Sequence, residues 1–133
     1  MLTRDQRFAE SAYTRVQQFA AGNAPGAKQQ YMGMAQEFPV LVRTAGLLQA
    51  LAFIERSSAD ADRRFADDLA RTVGEADRNA LLARCRAAPL PDYMRLTEQA
   101  LAACAWYKRV AQVLLEPALQ GQAALAQPEQ AGG

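Results

Sequence analysis

Histidine is absent from the chain. That omission removes the commonest general base and the commonest metal ligand. Any nucleophile would need a carboxylate or a lysine as its base. Lys28 and Lys108 are the only lysines, and neither lies in a catalytic motif. The carboxylates are scattered at ion-pair spacings. Di-metal bundles use Glu-x-x-His pairs, which cannot occur here. No glycine-rich loop resembles a phosphate cradle. These absences argue against an enzyme, and no catalytic residue, metal or other cofactor is expected.

Cysteine is scarce. Cys85 and Cys104 sit far apart in helical patterns and match no metal or redox spacing. They read as small buried thiols in a reducing compartment rather than as a disulfide. Long apolar runs are missing too. The longest holds Arg43 and Gln49, so no membrane span is expected. The first ten residues are charged and polar, unlike a secretory leader. A cytoplasmic protein follows. Neither charge is in excess: fifteen basic residues face fourteen acidic ones, for a net charge of +1. No global field steers a polyanion, and only local patches remain.

What is present is helix-forming. Ala, Leu, Arg, Gln and Glu dominate, and β-branched runs do not occur. The expected fold is all-α: a compact bundle of five to six helices with a long C-terminal helix. The 133 residues fit one domain. A chain of that size buries roughly two-thirds of its unfolded surface. Residues 1–117 are expected to form that domain, and 118–133 a Gln/Ala-rich, partly disordered tail with one extra turn near 118–125.

The longest pattern is 92–116. Tyr93, Leu96, Ala100, Ala103, Tyr107, Val110 and Leu114 follow one helix face. Pro89 and Pro91 predict a stiff extended lead-in, and Pro117 an end after Glu116. Upstream, Thr3 and Gln6 form a capping-box pattern for a helix to about Ala21, with Phe8, Ala12, Val16 and Phe19 inward and Gly22 as its stop. A short helix over 27–37 carries Tyr31, Met34 and Phe38. Phe38-Pro39 predicts a break, followed by an apolar helix over 40–56 in which Gly46 permits close approach of a neighbour. Ser57-Ser58 is a candidate cap for a helix over 59–73, with Phe65, Leu69 and Val73 inward. Asp60–Arg64 and Asp67–Arg71 are predicted i,i+4 pairs, making a self-paired solvated face. Gly74 closes that helix, and another covers 75–87.

The remaining chemistry is that of a binding surface. At about 100° per residue, Arg95, Ala102, Trp106, Arg109 and Val113 cluster away from the core stripe of the last helix. Trp and Arg are the usual anchors of an interface, so Trp106, Arg95 and Val113 are candidate partner contacts. The alternative is that the first helix or the tail covers Trp106, and that Lys108 and Arg109 are simply solvated.

Three motifs carry a family likeness: Pro39 followed by Gly46-Leu47-Leu48-Gln49-Ala50-Leu51-Ala52-Phe53; Tyr93-Met94-Arg95-Leu96-Thr97; and Ala105-Trp106-Tyr107-Lys108-Arg109-Val110-Ala111. Together they resemble the small helical subunit of the Cmr (type III-B) CRISPR effector complex, the fifth Cmr subunit family. The resemblance covers about 37–115 and does not reach the tail. It implies a non-catalytic, RNA-binding subunit in antiviral defence, whose copies stack into a minor filament. Its implied partners are the other Cmr subunits, crRNA and target RNA, and further copies of itself. By matching position, Lys108 and Arg109 are the first candidates to face nucleic acid, with Arg43 and Arg56 as further phosphate contacts. Arg43 has an alternative use, its stem covering apolar surface. The alternatives are the small subunit of a Csm-type complex and a stand-alone helical adaptor that binds only protein.

Overall fold

A computed structural model describes residues 1–117. Its six helices are α1 (Arg4–Gly22), α2 (Pro25–Ala45), α3 (Leu47–Glu55), α4 (Asp60–Thr72), α5 (Arg78–Ala87) and α6 (Leu90–Leu114), with no strand among the described residues. The fold is therefore all-α with a long last helix, as the composition implies. The predicted tail lies outside the described residues.

The capping box of α1 is formed: Thr3 Oγ1 accepts from the Gln6 N–H, and Gln6 Oε1 accepts from the Thr3 N–H. Phe8, Ala12, Val16 and Phe19 are all buried. Gly22, the predicted stop, is instead the last helical residue. The Asn23 side-chain amide closes the helix by donating to the Phe19 carbonyl at 2.9 Å.

The largest departure concerns Pro39. It does not break the chain, and α2 runs straight through it to Ala45. Pro39 is buried with Met34, Ala35, Phe38 and Val42 on the inward face of α2. That packing offsets the local cost of a proline inside a helix. The break falls at Gly46, whose φ of 92° and ψ of 157° belong to a region only glycine occupies comfortably. No neighbouring helix backbone approaches Gly46. Instead the Tyr93 hydroxyl stands 3.2 Å from where a Cβ would be, and it accepts from the Leu48 N–H at 3.1 Å. Tyr93 of α6 thus caps α3 from outside.

Ser57 does not cap α4; Ala59 holds that position. The Ser57 hydroxyl donates to the buried Asp62 carboxylate and accepts from the Ala59 N–H. Gly74 ends α4 as predicted, at φ 98°. The Gly74 N–H reaches the Arg71 carbonyl and the Glu75 N–H reaches the Ala70 carbonyl, the two bonds of a Schellman motif. Helix α5 starts later than predicted, with Asp77 as its cap. Helix α6 starts earlier and takes Pro91 into its first turn, where a missing N–H costs nothing. It ends at Leu114, short of Pro117.

Helix α6 packs between α1 and α2, and α4 closes the far side against both. In the centre Tyr31, Phe38, Phe65 and Tyr107 are fully buried, and Phe65 meets each of the other three with ring centroids 5.6 Å apart. Such pairs add about 0.5–1.5 kcal/mol each beyond their area. Ala100, Ala103 and Cys104 are also fully buried. Both cysteines are free and buried.

Candidate nucleic-acid interface

Helix α2 continues through Pro39 and packs alongside α6. Between the two helices lies a groove of about 480 Å³. Pro39, Val40 and Arg43 form one wall, and Ala105, Lys108 and Arg109 the other. Three of the four sequence-predicted phosphate contacts are thus brought together. The fourth, Arg56, is not: it edges a separate groove with Leu41, Gln49 and Phe53.

Charge makes the α2/α6 groove distinctive. Arg43, Lys108 and Arg109 are exposed, and no carboxylate among the described residues lines the groove. Among the described residues none of the three makes an ion pair, whereas Arg63, Arg64, Arg71, Arg78, Arg84 and Arg95 all do. Three uncompensated cations in one concave strip raise the local potential although the chain is nearly neutral. Gln36 and Gln112 add neutral hydrogen-bonding groups at the edge. At the floor, burial pushes the Cys104 thiol up to about 12. It stays protonated near neutral pH and offers neither a nucleophile nor a soft metal ligand.

The outer strip of α6 is divided. Trp106 and Ala102 are half-buried against the core. Arg109 places its guanidinium 5.2 Å from the Trp106 ring centre, a cation–π contact that aims it beside the groove. Val113 is exposed, and Arg95 is exposed but paired with Asp92 in the first turn. Arg95 and Arg109 are fourteen residues apart, or about 21 Å of helix, so the strip is no single spot.

The ion pairs on α4 differ from those predicted. Asp60 pairs with Arg63, Asp67 with Arg78, and Arg64 and Arg71 both turn to Asp68. Asp68 is buried and accepts from the Tyr31 hydroxyl at 2.8 Å, while the Tyr107 hydroxyl bonds its backbone carbonyl at 2.9 Å. Burial pushes the Asp68 carboxyl above its ordinary value of 3.8, and the Tyr31 hydroxyl and Arg64 pull the other way. Every buried side-chain polar atom among the described residues has a partner. Asp68 therefore belongs to a closed structural network. No group of three His, Cys, Asp or Glu side chains converges to hold a metal among the described residues.

Sequence reasoning missed the α2 wall of the groove because it ended that helix at Pro39. It also missed Asp68 as a core residue. The signal was there, since Asp62 and Asp68 flank the inward Phe65 at i−3 and i+3 and so share its face.

The chain is similar to known proteins over most of its length. The family model for CRISPR-associated protein (Cas_Cmr5) matches residues 4–114. A relative from Thermus thermophilus, described as CRISPR system Cmr subunit Cmr5, is 44% identical over 116 residues, which are 87% of this chain and 99% of the relative. The crystal structure of a CRISPR-associated Cmr5 family protein from Thermus thermophilus superposes with a TM-score of 0.80 at 43% identity, covering 86% of this chain and 99% of that one. No helix among the described residues is long and apolar enough to cross a membrane.

Proposed function

The chain belongs to the Cmr5 family, and from that premise we propose that it is a non-catalytic small subunit of a Cmr-type, RNA-guided complex, holding RNA along its α2/α6 groove. The convergence of Arg43, Lys108 and Arg109 on a groove without carboxylates carries this reading. Guanidinium and ammonium groups meet phosphate oxygens without reading sequence. Sequence would be read by pairing between guide and target. A few contacts of this kind suit a subunit that works within an assembly, where neighbours hold the same RNA. On this reading its partners are the other Cmr subunits, crRNA with target RNA, and further copies of itself along a filament, in the cytoplasm. The exposed parts of the α6 strip, Arg95 and Val113, with Trp106 between them, are the proposed contacts to neighbouring subunits. Arg56, outside the groove, is assigned to solvent or a neighbour. The family match removes the Csm-type alternative.

Replacing Arg43, Lys108 and Arg109 together by alanine tests the groove. All three are exposed and make no ion pair among the described residues, so the melting temperature should stay within a few degrees of wild type. RNA retention by the assembled complex should fall, and its salt dependence should flatten. A large loss of stability with RNA retention intact would make these side chains structural.

A further inference from the structure

A second cationic face lies along α1 and α4, which pack against each other. It shares no lining residue with the α2/α6 groove. The Ser11 hydroxyl meets the Thr72 hydroxyl at 2.8 Å across this seam, and the Arg64 guanidinium lies 5.7 Å from the Phe19 ring centre. Along α1 a depression of about 440 Å³ is lined by Arg7, Glu10, Ser11, Thr14, Arg15 and Gln18.

Charges here do not cancel. Arg64 and Arg71 both reach toward Asp68, at 3.2 and 3.8 Å, and each remains about two-fifths exposed while the Asp68 side chain is 1% exposed. Arg15 acts on the same carboxyl from α1 and donates to the Ser11 hydroxyl at 3.1 Å. Arg7 pairs with no carboxylate among the described residues; it reaches the Leu2 carbonyl. Four guanidinium groups therefore stand against one buried carboxylate and the Glu10 carboxylate. The buried charge holds the arginines in place without presenting itself to a ligand.

From this juxtaposition we infer that the α1/α4 seam, through Arg7, Arg15, Arg64 and Arg71, is a second site for a nucleic-acid phosphodiester backbone, so that the chain holds RNA at two separate places. The inference rests on the reading that the chain works against RNA. The lining favours phosphate over protein. Ser, Thr, Gln and Arg are the side chains that meet phosphate and sugar oxygens. No aromatic or aliphatic side chain, the usual anchor of a protein interface, lines the depression. Arg7 and Arg15 are eight residues apart, roughly 12 Å along the helix, so they meet several nucleotides rather than one phosphate.

The experiment is a salt titration of the full chain against a labelled single-stranded polyuridine, comparing wild type, R7Q/R15Q, R7K/R15K and R43A/K108A/R109A. Arg64 and Arg71 are left in place because they pair with the buried Asp68. R7Q/R15Q should bind roughly tenfold more weakly at low salt, with a log–log salt slope shallower by about 1.4, at roughly 0.7 per lost contact. R7K/R15K should recover the slope. The groove variant should lose about 2 from its slope independently. A slope for R7Q/R15Q equal to wild type, with a shallower one for the groove variant, overturns the second site and leaves the groove reading standing. The reverse pattern supports the second site and overturns the groove. No binding by wild type at low salt overturns both. Loss of a partner protein from R7Q/R15Q pull-downs, with the slope unchanged, assigns the seam to protein and overturns the inference. Ultraviolet cross-linking of the wild-type chain reports without a variant: RNA attached to peptides of α1 or α4 supports the site, and attachment confined to α2 and α6 overturns it.

Discussion

Two residues show how single side chains carry different loads here. Asp68 is a buried carboxylate whose folded-state proton affinity exceeds its ordinary value of 3.8 because burial disfavours the charge. The folded chain holds that proton more tightly than the unfolded chain. The stability it contributes is therefore fully present below about 3.8 and is lost as pH rises through the higher folded-state value. Asp68→Asn removes this dependence. The stability of wild type relative to D68N should be greatest in acid and decline toward neutral pH, as followed by thermal unfolding at a series of pH values. A difference that is flat with pH would contradict the assignment. Asp68→Ala should cost more, roughly 2–3 kcal/mol, because the buried Tyr31 hydroxyl loses its acceptor. Trp106 carries a different load. It is half-buried against the core and underlies Arg109. Trp106→Ala should remain folded, lose about 1–2 kcal/mol, and fail to assemble. A wild-type melting midpoint together with wild-type assembly would contradict that role.

At the scale of elements, the junction of α2 and α3 decides where the groove lies. If α2 ended at Pro39, Arg43 would belong to another helix and the groove wall would be lost. The chain turns at Gly46, in a backbone conformation that a Cβ strains by about 1–3 kcal/mol. Gly46→Ala should destabilise by that amount and also press on the Tyr93 hydroxyl. Tyr93→Phe should cost about 1 kcal/mol through the orphaned Leu48 N–H. Because the two positions touch, the double variant should cost less than the sum, and strict additivity of the unfolding free energies would contradict the shared cap. This junction also marks how far the sequence is legible. Local chemistry was readable wherever it acts within a few residues: the Thr3–Gln6 box, the Gly74 stop and the core stripes of α1 and α6. Pro39 misled because its helix-breaking tendency is outweighed by burial against distant residues. Gly46 was singled out for helix approach, whereas a turn and the hydroxyl of a tyrosine distant in sequence require it. Ion-pair spacing on α4 failed for a similar reason: Asp68 turned inward to Tyr31, drawing Arg64 and Arg71 with it. Of the candidate site, Lys108 and Arg109 were put forward through the family resemblance, by their matching position in the last helix. Their joining with Arg43 was not legible, since it depends on the path of α2.

The whole molecule combines near-zero net charge with uneven placement of that charge. Most arginines on α4, α5 and the start of α6 are paired with carboxylates, while among the described residues Arg43, Lys108 and Arg109 make no ion pair along one seam. Such a chain has no long-range field to hold RNA tightly by itself; on the proposed reading its cation groove binds free RNA weakly, at low salt, and serves RNA that an assembly brings near. Its membership of the Cmr5 family fits that division of labour. The most direct test is to tag the chain in its native cells, purify it gently, and identify what accompanies it by mass spectrometry and RNA sequencing. The account predicts several larger subunits together with short guide RNAs, and loss of the RNA from the R43A/K108A/R109A preparation. A clean preparation with one protein partner and no RNA would contradict it and make the chain a protein-binding adaptor.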